Sequence, residues 1–390
     1  MFASRPFAQA PPDPAANARV HIGPLALSPA ISLLNAGVDT NVFNEADQLA
    51  PKSDFTMTVQ PKTDLWLHLG RSMLVGNVTE DLVYYRKYAS ERSMNHSYKL
   101  GLLVPWTRLT LNGAVSYLNT RERPGFEIDA RSQRTEVGYD AGVEIRALPK
   151  TTFGLRGQRT GIDFDSVATF EGVSLQDALN RTVTTSALTI RHQSTPLTSV
   201  TLEVGRDQDR FRFSPVRDSD STHIVGSVKF DPFALINGGA SVGYRDFKPR
   251  SAGVPAYRGA VASVDLSYTV FDSTRFSVQG TRDVQYSFDL AEPYYVLTGW
   301  SGSIAQQVFG PVDVVGRYGA QRLDYRQRAG ADPALTNRTD YTYTYGGGVG
   351  YHLGTDVRIG FNVDKSKRTS AVSNRSYSGL RYGAAVTYGL

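Results

Sequence analysis

Charged residues in this 390-residue chain recur at alternate positions. Arg108, Arg134, Arg146, Arg156, Arg275, Arg317 and Arg358 share a phase with Glu136, Asp140, Glu144 and Asp283, while the opposite phase is largely apolar. Lys62, Lys99, Lys229, Glu203, Asp265 and Asp364 follow the same rule. A guanidinium presents a planar fork of donors that grips carboxylate or sulfate through two bonds and stacks on sugar or aromatic faces. Ranked along one face, such groups either draw in anionic solutes and acidic glycans or pair with neighbouring acids and brace a wall.

Other chemistries lack their residues. Cysteine is absent, which removes disulfides, thiolate metal sites and cysteine nucleophiles. The histidines (His21, His68, His96, His192, His223, His352) are scattered, with no His-x-x-x-His spacing for a metal. Gly299-Trp300-Ser301-Gly302-Ser303 lacks the last glycine of a nucleophile elbow and lies within a strand pattern. Gly346-Gly347-Gly348-Val349-Gly350 has no helix after it to cradle a phosphate, so its glycines read as room left in a wall. No catalytic residue, metal or cofactor is assigned, and the chain reads as a non-enzyme. Its net charge of +5 is a mild surplus, and no nucleic-acid partner is expected.

The elements that would position the charged phase are strands. Leu109, Leu111, Gly113, Val115 and Tyr117 alternate with polar residues, as do Val137, Tyr139, Ala141, Val143 and Ile145. These runs extend about 12–17 residues, where strands of soluble sheets cluster near 5–6. Eight short connections (at 70–71, 105–107, 148–150, 195–197, 231–233, 271–273, 310–311 and 354–355) alternate with nine longer ones (at 44–52, 87–92, 121–131, 164–180, 213–219, 248–256, 289–293, 327–338 and 366–375). Short turns on one side and long loops on the other predict an all-β fold: an 18-stranded antiparallel transmembrane β-barrel with short periplasmic turns and longer extracellular loops. Low mean hydropathy fits, because each apolar strand residue is diluted by a polar one, and no run approaches the ~18 apolar residues of a membrane helix. A soluble propeller would need shorter strands. At this strand number a barrel holds an aqueous channel.

Aromatic residues mark both boundaries. Tyr84, Tyr85, Tyr117, Tyr244, Tyr286, Phe288, Tyr294, Tyr295, Tyr325 and Tyr341 fall beside long loops; Trp106, Phe153, Phe230, Phe271, Phe276, Phe309, Tyr351 and Tyr388 fall beside short turns. Three details strain the pattern. Pro61 interrupts a strand and predicts a bulge. Arg282 falls on the apolar phase, towards lipid unless a bulge turns it. Ser174 precedes Asp177 with N-cap spacing, so the longest loop either carries a short helix at the mouth or is a plain surface loop.

At the N-terminus Ala8-Gln9-Ala10 has the form of a signal-peptidase site without the apolar stretch that normally precedes it. Residues 1–10 are either a signal-peptide remnant or an unstructured start, 11–29 a flexible periplasmic segment and 30–390 the barrel. At the other end, Gly383, Val386 and Tyr388 match polar-x-Gly-x-x-apolar-x-aromatic, which resembles the C-terminal signal read by the outer-membrane assembly machinery; Gly389-Leu390 follow where many such signals stop.

The opening segment, Gly23-Pro24-Leu25 through Asp39-Thr40-Asn41-Val42-Phe43 and on to Lys52-Ser53-Asp54-Phe55, resembles the start of the putative β-barrel porin 2 family. The resemblance implies a Gram-negative outer-membrane barrel, with some members linked to exopolysaccharide synthesis and export. The expected partners are outer-membrane lipid, the assembly machinery, and polysaccharide with periplasmic export proteins. The reading is a conduit or accessory barrel for polysaccharide export; alternatives are a passive or anion-selective small-solute porin and a structural or adhesive barrel with a closed lumen.

Overall fold

The computed structural model describes residues 14–230, 235–271, 273–331 and 338–389. Eighteen long antiparallel strands run from Leu25–Asp39 to Tyr377–Tyr388, each bonded to its sequence neighbours. The first and last close the ring, from Ile31 opposite Tyr388 to Asp39 opposite Arg381. Closure leaves no ladder edge around the ring as a whole, the condition for a sheet to cross lipid. Connections alternate as the sequence predicts, for example 70–71 and 149–150 against 123–131 and 165–180. The stretch 1–10 and the turn at 231–233 lie outside the described residues.

Alternation fixes the two faces. Val115, Tyr139, Leu155, Leu188, Val242, Trp300 and Phe361 are exposed on the outer, lipid-side phase, and the charged phase points into the lumen. Beside the short turns Trp106, Phe153, Phe309, Tyr351 and Tyr388 form an exposed aromatic band.

Three expectations change. The barrel starts at Leu25, not residue 30, because Val20–Ile22 turns at Gly23 and pairs back onto Leu25–Leu27. Pro61 causes no register shift: the ladder to Ser72–Tyr85 omits Gln60 and Pro61 and resumes in the same register at Lys62 opposite Thr79. The bulge sits instead in the first strand, between Leu34 and Gly37, where Asn35 has φ 52°. It brings the first strand against the last so closely that a Cβ on Gly37 would collide with the Tyr382 carbonyl and one on Gly383 with that of Ala36. Third, the aromatic band at the long-loop end is split. Tyr244 and Tyr117 are exposed, whereas Phe288, Tyr294, Tyr295 and Tyr325 are buried inside the mouth.

Candidate functional site: a closed mouth over a charged lumen

Most of the inward charges meet partners on the same strand or one or two strands away. Arg156 donates to Asp140 at 2.7 Å, Arg134 to Glu136 at 2.8 Å, and Glu144 accepts from Arg191. Asp283 lies 3.3 Å from Arg245. Arg317 reaches Asp364 at 2.9 Å across Gly346, which stands in register between them. Arg358 grips Asp313 through two bonds of 2.7 and 2.6 Å across Gly350. A Cβ on Gly346 would collide with the Asp364 carboxylate, and one on Gly350 with the Arg358 guanidinium. The glycine run is therefore the slot through which ion pairs span two strands.

Arg108, Arg146 and Arg275 differ. They are exposed, lie next to short turns, and have no ion-pair partner among the described residues. The short-turn end of the lumen is thus fringed with guanidinium groups that have no ion-pair partner among the described residues.

The opposite end is narrowed by part of the wall itself. Thr274–Tyr286 and Tyr294–Phe309 pair all the way to Tyr286 opposite Tyr294. The ladder between Tyr257–Val270 and Thr274–Tyr286, however, stops at Ala262 opposite Arg282. Tyr257–Val270 stays paired on its other side up to Tyr257. The hairpin tip from 283 to 297 consequently leaves its neighbour and curls into the lumen as a tongue, still bonded to Val312–Arg326. Arg282 stands at the point of departure and donates to Thr298 Oγ1 at 2.5 Å, which is how a cation occurs on the apolar phase.

The tongue packs against inward residues of distant strands. Tyr294 lies 4.9 Å from Phe247 and Tyr286 4.8 Å from Phe211, centroid to centroid, and Val284 and Val296 join Phe247, Val254 and Tyr257. Edge-on aromatic contacts of this kind add about 0.5–1.5 kcal/mol each beyond their buried area. At the tip, Phe288 enters an apolar cluster with Ile128, Phe164, Leu175 and Leu179. Leu175–Leu179 is the short helix at the mouth, capped by Ser174 Oγ accepting from Asp177 N at 3.2 Å.

Polar bonds lock the tip. Arg217 donates to the carbonyls of Ser287 and Phe288. Glu127, from the inward-folded loop 123–131, accepts from Ser287 Oγ at 2.6 Å and Phe288 N at 3.2 Å. Burial pushes the Glu127 carboxyl up to about 7 and the Arg217 guanidinium down to about 10. Around them Arg368 donates to Asp340 at 2.6 Å and Asp129 at 2.9 Å, and Arg338 to Glu292 at 2.8 Å and Asp340 at 2.9 Å. Arg368, Asp340 and Glu292 have fully buried side chains. Such a network holds only while every member is present, since truncating one partner strands a buried charge.

Beneath the tongue remains a cavity of about 290 Å³ lined by Arg181, Thr185, Asp207, Asp209, Arg245 and Tyr286 among others. Its lining residue Asp207 is bonded by His223 at 3.0 Å, which also bonds Glu203 at 3.2 Å.

The fold therefore places the expected inward charges on one face but does not gather them into one site. The residues that close the mouth, notably Glu127, Arg217, Arg338, Asp340, Arg368 and Arg375, were not singled out by sequence. Only Arg282 on the wrong phase hinted that this hairpin leaves the wall. Gly383 lies in the seam, while Val386 and Tyr388 are on the outer face of the closing strand, with Tyr388 exposed.

The sequence model of the family described as Putative beta-barrel porin 2 matches residues 13–389. No curated protein is detectably similar in sequence. Among solved structures, the outer membrane protein opdK from Pseudomonas aeruginosa is similar at 10% identity, with 93% of this chain and 98% of that chain covered and a TM-score of 0.46. A BenF-like porin from Pseudomonas fluorescens Pf-5 has 10% identity, the same coverage and a TM-score of 0.48. OccK2 (OpdF) of Pseudomonas aeruginosa, solved in complex with glucuronate, has 10% identity, 93% and 97% coverage and a TM-score of 0.49.

Proposed function

The chain belongs to the Putative beta-barrel porin 2 family, and from that premise we propose that it is a gated outer-membrane channel that passes anionic hydrophilic material, an exported acidic polysaccharide first among the candidates. The observation that carries this reading is the contrast between the two ends. Exposed Arg108, Arg146 and Arg275, without ion-pair partners among the described residues, fringe the short-turn side, and a hairpin tongue closes the long-loop side. With short turns in the periplasm, an acidic chain arriving from within meets the open, cationic end first. Guanidinium groups suit uronate or sulfate groups because they bind them through paired bonds.

The tongue has somewhere to go. Residues 258–261 of the neighbouring strand lack a partner on the tongue's side, so a tongue swinging outward can extend the ladder beyond Ala262–Arg282. Opening would exchange buried ion pairs for strand pairing. A free-diffusion porin needs no such exchange. The assembly machinery would read Gly383, Val386 and Tyr388, an assignment supported by their place in the closing strand. The second reading, a small anionic-solute porin, is favoured by the charged cavity beneath the tongue.

Planar-bilayer recording tests the proposal. The intact chain should be silent or nearly so. A variant with the tongue shortened to a tight turn should conduct steadily and be blocked by acidic oligosaccharide from the short-turn side. Steady conductance of the intact chain, indifferent to the glycan, would sink it in favour of the porin.

A further inference from the structure

The outer surface carries a charged patch that neither the lumen nor the tongue uses. On four adjacent strands the outward residues form rows in strict register. One row reads Val204, Ile224, Tyr244 and Ala260, and is apolar. The next row towards the long loops reads Arg206, Thr222, Asp246 and Arg258. The row beyond holds Gln208, Asp220 and Lys248. The surface thus changes from apolar to charged within one step, about 7 Å along the strands. That step marks the boundary between hydrocarbon and headgroups on the long-loop side.

The charge there is unbalanced. Arg210 reaches Asp220 at 2.7 Å, Arg206 at 3.7 Å and Arg250 at 3.9 Å, so three guanidinium groups converge on one carboxylate. Lys248 and Arg258 share Asp246 at 3.0 and 3.1 Å. Five cations therefore face two acids. Four of them stay more than half exposed: Arg206 59%, Arg250 57%, Lys248 60% and Arg258 65%. A planar fork with spare donors at a membrane boundary has one abundant partner, a lipid-borne phosphate.

We propose that this face, centred on Arg206, Arg210 and Arg250, binds the phosphate groups of a phosphorylated lipid in the outer leaflet. The three arginines grip the phosphate in competition with Asp220, while Val204, Ile224 and Tyr244 pack against the acyl chains. Lys248 and Arg258 hold a second phosphate of the same headgroup or of a neighbour. The last of its four strands, Tyr257–Val270, borders the edge that the tongue vacates.

The test is lipid retention by the intact barrel, read by native mass spectrometry after transfer from nanodiscs of phosphatidylcholine doped with bisphosphorylated or enzymatically dephosphorylated lipid A. The intact chain should retain the phosphorylated form preferentially. R206Q/R210Q/R250Q should weaken retention about tenfold or more, the scale of losing charge-assisted bonds. D220N, which removes the competing carboxylate, should strengthen it; since it must fold to do so, the pair of variants separates lost binding from lost folding. Equal retention of the two lipid forms, or a triple variant that folds and retains lipid as the intact chain does, would overturn the proposal. So would competition by millimolar inorganic phosphate as effective as that by the lipid, which would mark a soluble-anion site instead.

Discussion

The two ends of one barrel treat arginine in opposite ways. At the long-loop mouth Arg217, Arg338, Arg368 and Arg375 are buried and bonded to carboxylates or loop carbonyls. At the short-turn end Arg108, Arg146 and Arg275 are exposed and without ion-pair partners among the described residues. The residue type is the same, and the difference lies in what surrounds it. A buried guanidinium is costly without partners, so each of these is held by bonds from other loops and fixes the geometry of the mouth. An exposed one costs little to leave alone, so it stays available to a solute. The molecule thus uses one side chain as mortar at one end and as bait at the other.

Four measurements can break or sharpen that contrast. The largest effect should come from removing the tongue: replacing 284–296 by a tight turn should convert a silent barrel into a steadily conducting one in planar bilayers. If conductance is unchanged, the tongue does not close the pore. Next is Arg368→Ala, which strands Asp340 and Asp129 without their shared partner. Loss of one member of a buried network costs about 3–5 kcal/mol, so the variant should open frequently and lose hydrogen-exchange protection around 123–131, with the strands below unaffected.

Acidity should act more gently. The Glu127 carboxyl is raised to about 7 by burial in the closed mouth, whereas in an open, hydrated mouth it would titrate near 4.3. Between those values the closed form holds a proton that the open form releases, so closure is strengthened below pH 4.3 and weakens as pH rises through 7. The span corresponds to roughly 4 kcal/mol at most. Open probability should therefore climb from pH 5 to pH 8, and Glu127→Gln should flatten the climb. A flat profile in the intact chain would remove Glu127 from the closing contacts. The smallest effect belongs to the other end. Arg108→Ala, Arg146→Ala and Arg275→Ala together should leave stability within about 1 kcal/mol, as expected for exposed charges. In the tongue-shortened background they should still lower anion selectivity and weaken block by acidic glycan. Unchanged selectivity would mean that the fringe is passive.

How much of this was legible without the fold follows from how local each signal is. Alternation is a property of a few consecutive residues, so the strands, their faces and the sequence of short and long connections could be read directly, and with them the ring of 18. The lumenal position of Arg156 or Arg317 follows from phase alone. Their partners do not: Arg317 meets Asp364 only because Gly346 lies between them in register. Pro61 was a visible irregularity, yet the register shift lies on the neighbouring strand at Asn35.

The sequence by itself determined that this chain is a wall of amphipathic strands with a polar, arginine-rich lining, because period-two burial is written residue by residue. Tertiary structure alone decided that part of the wall folds inward to shut the mouth. Val284, Tyr286, Tyr294 and Val296 alternate correctly whether their apolar side meets lipid or the inner faces of Phe247 and Tyr257. Burial satisfies them equally in either place. The choice was made by groups far apart in the chain: Glu127 and Arg217, which bond Ser287 and Phe288, and Arg338, which bonds Glu292, meet these partners only once the hairpin has curled in.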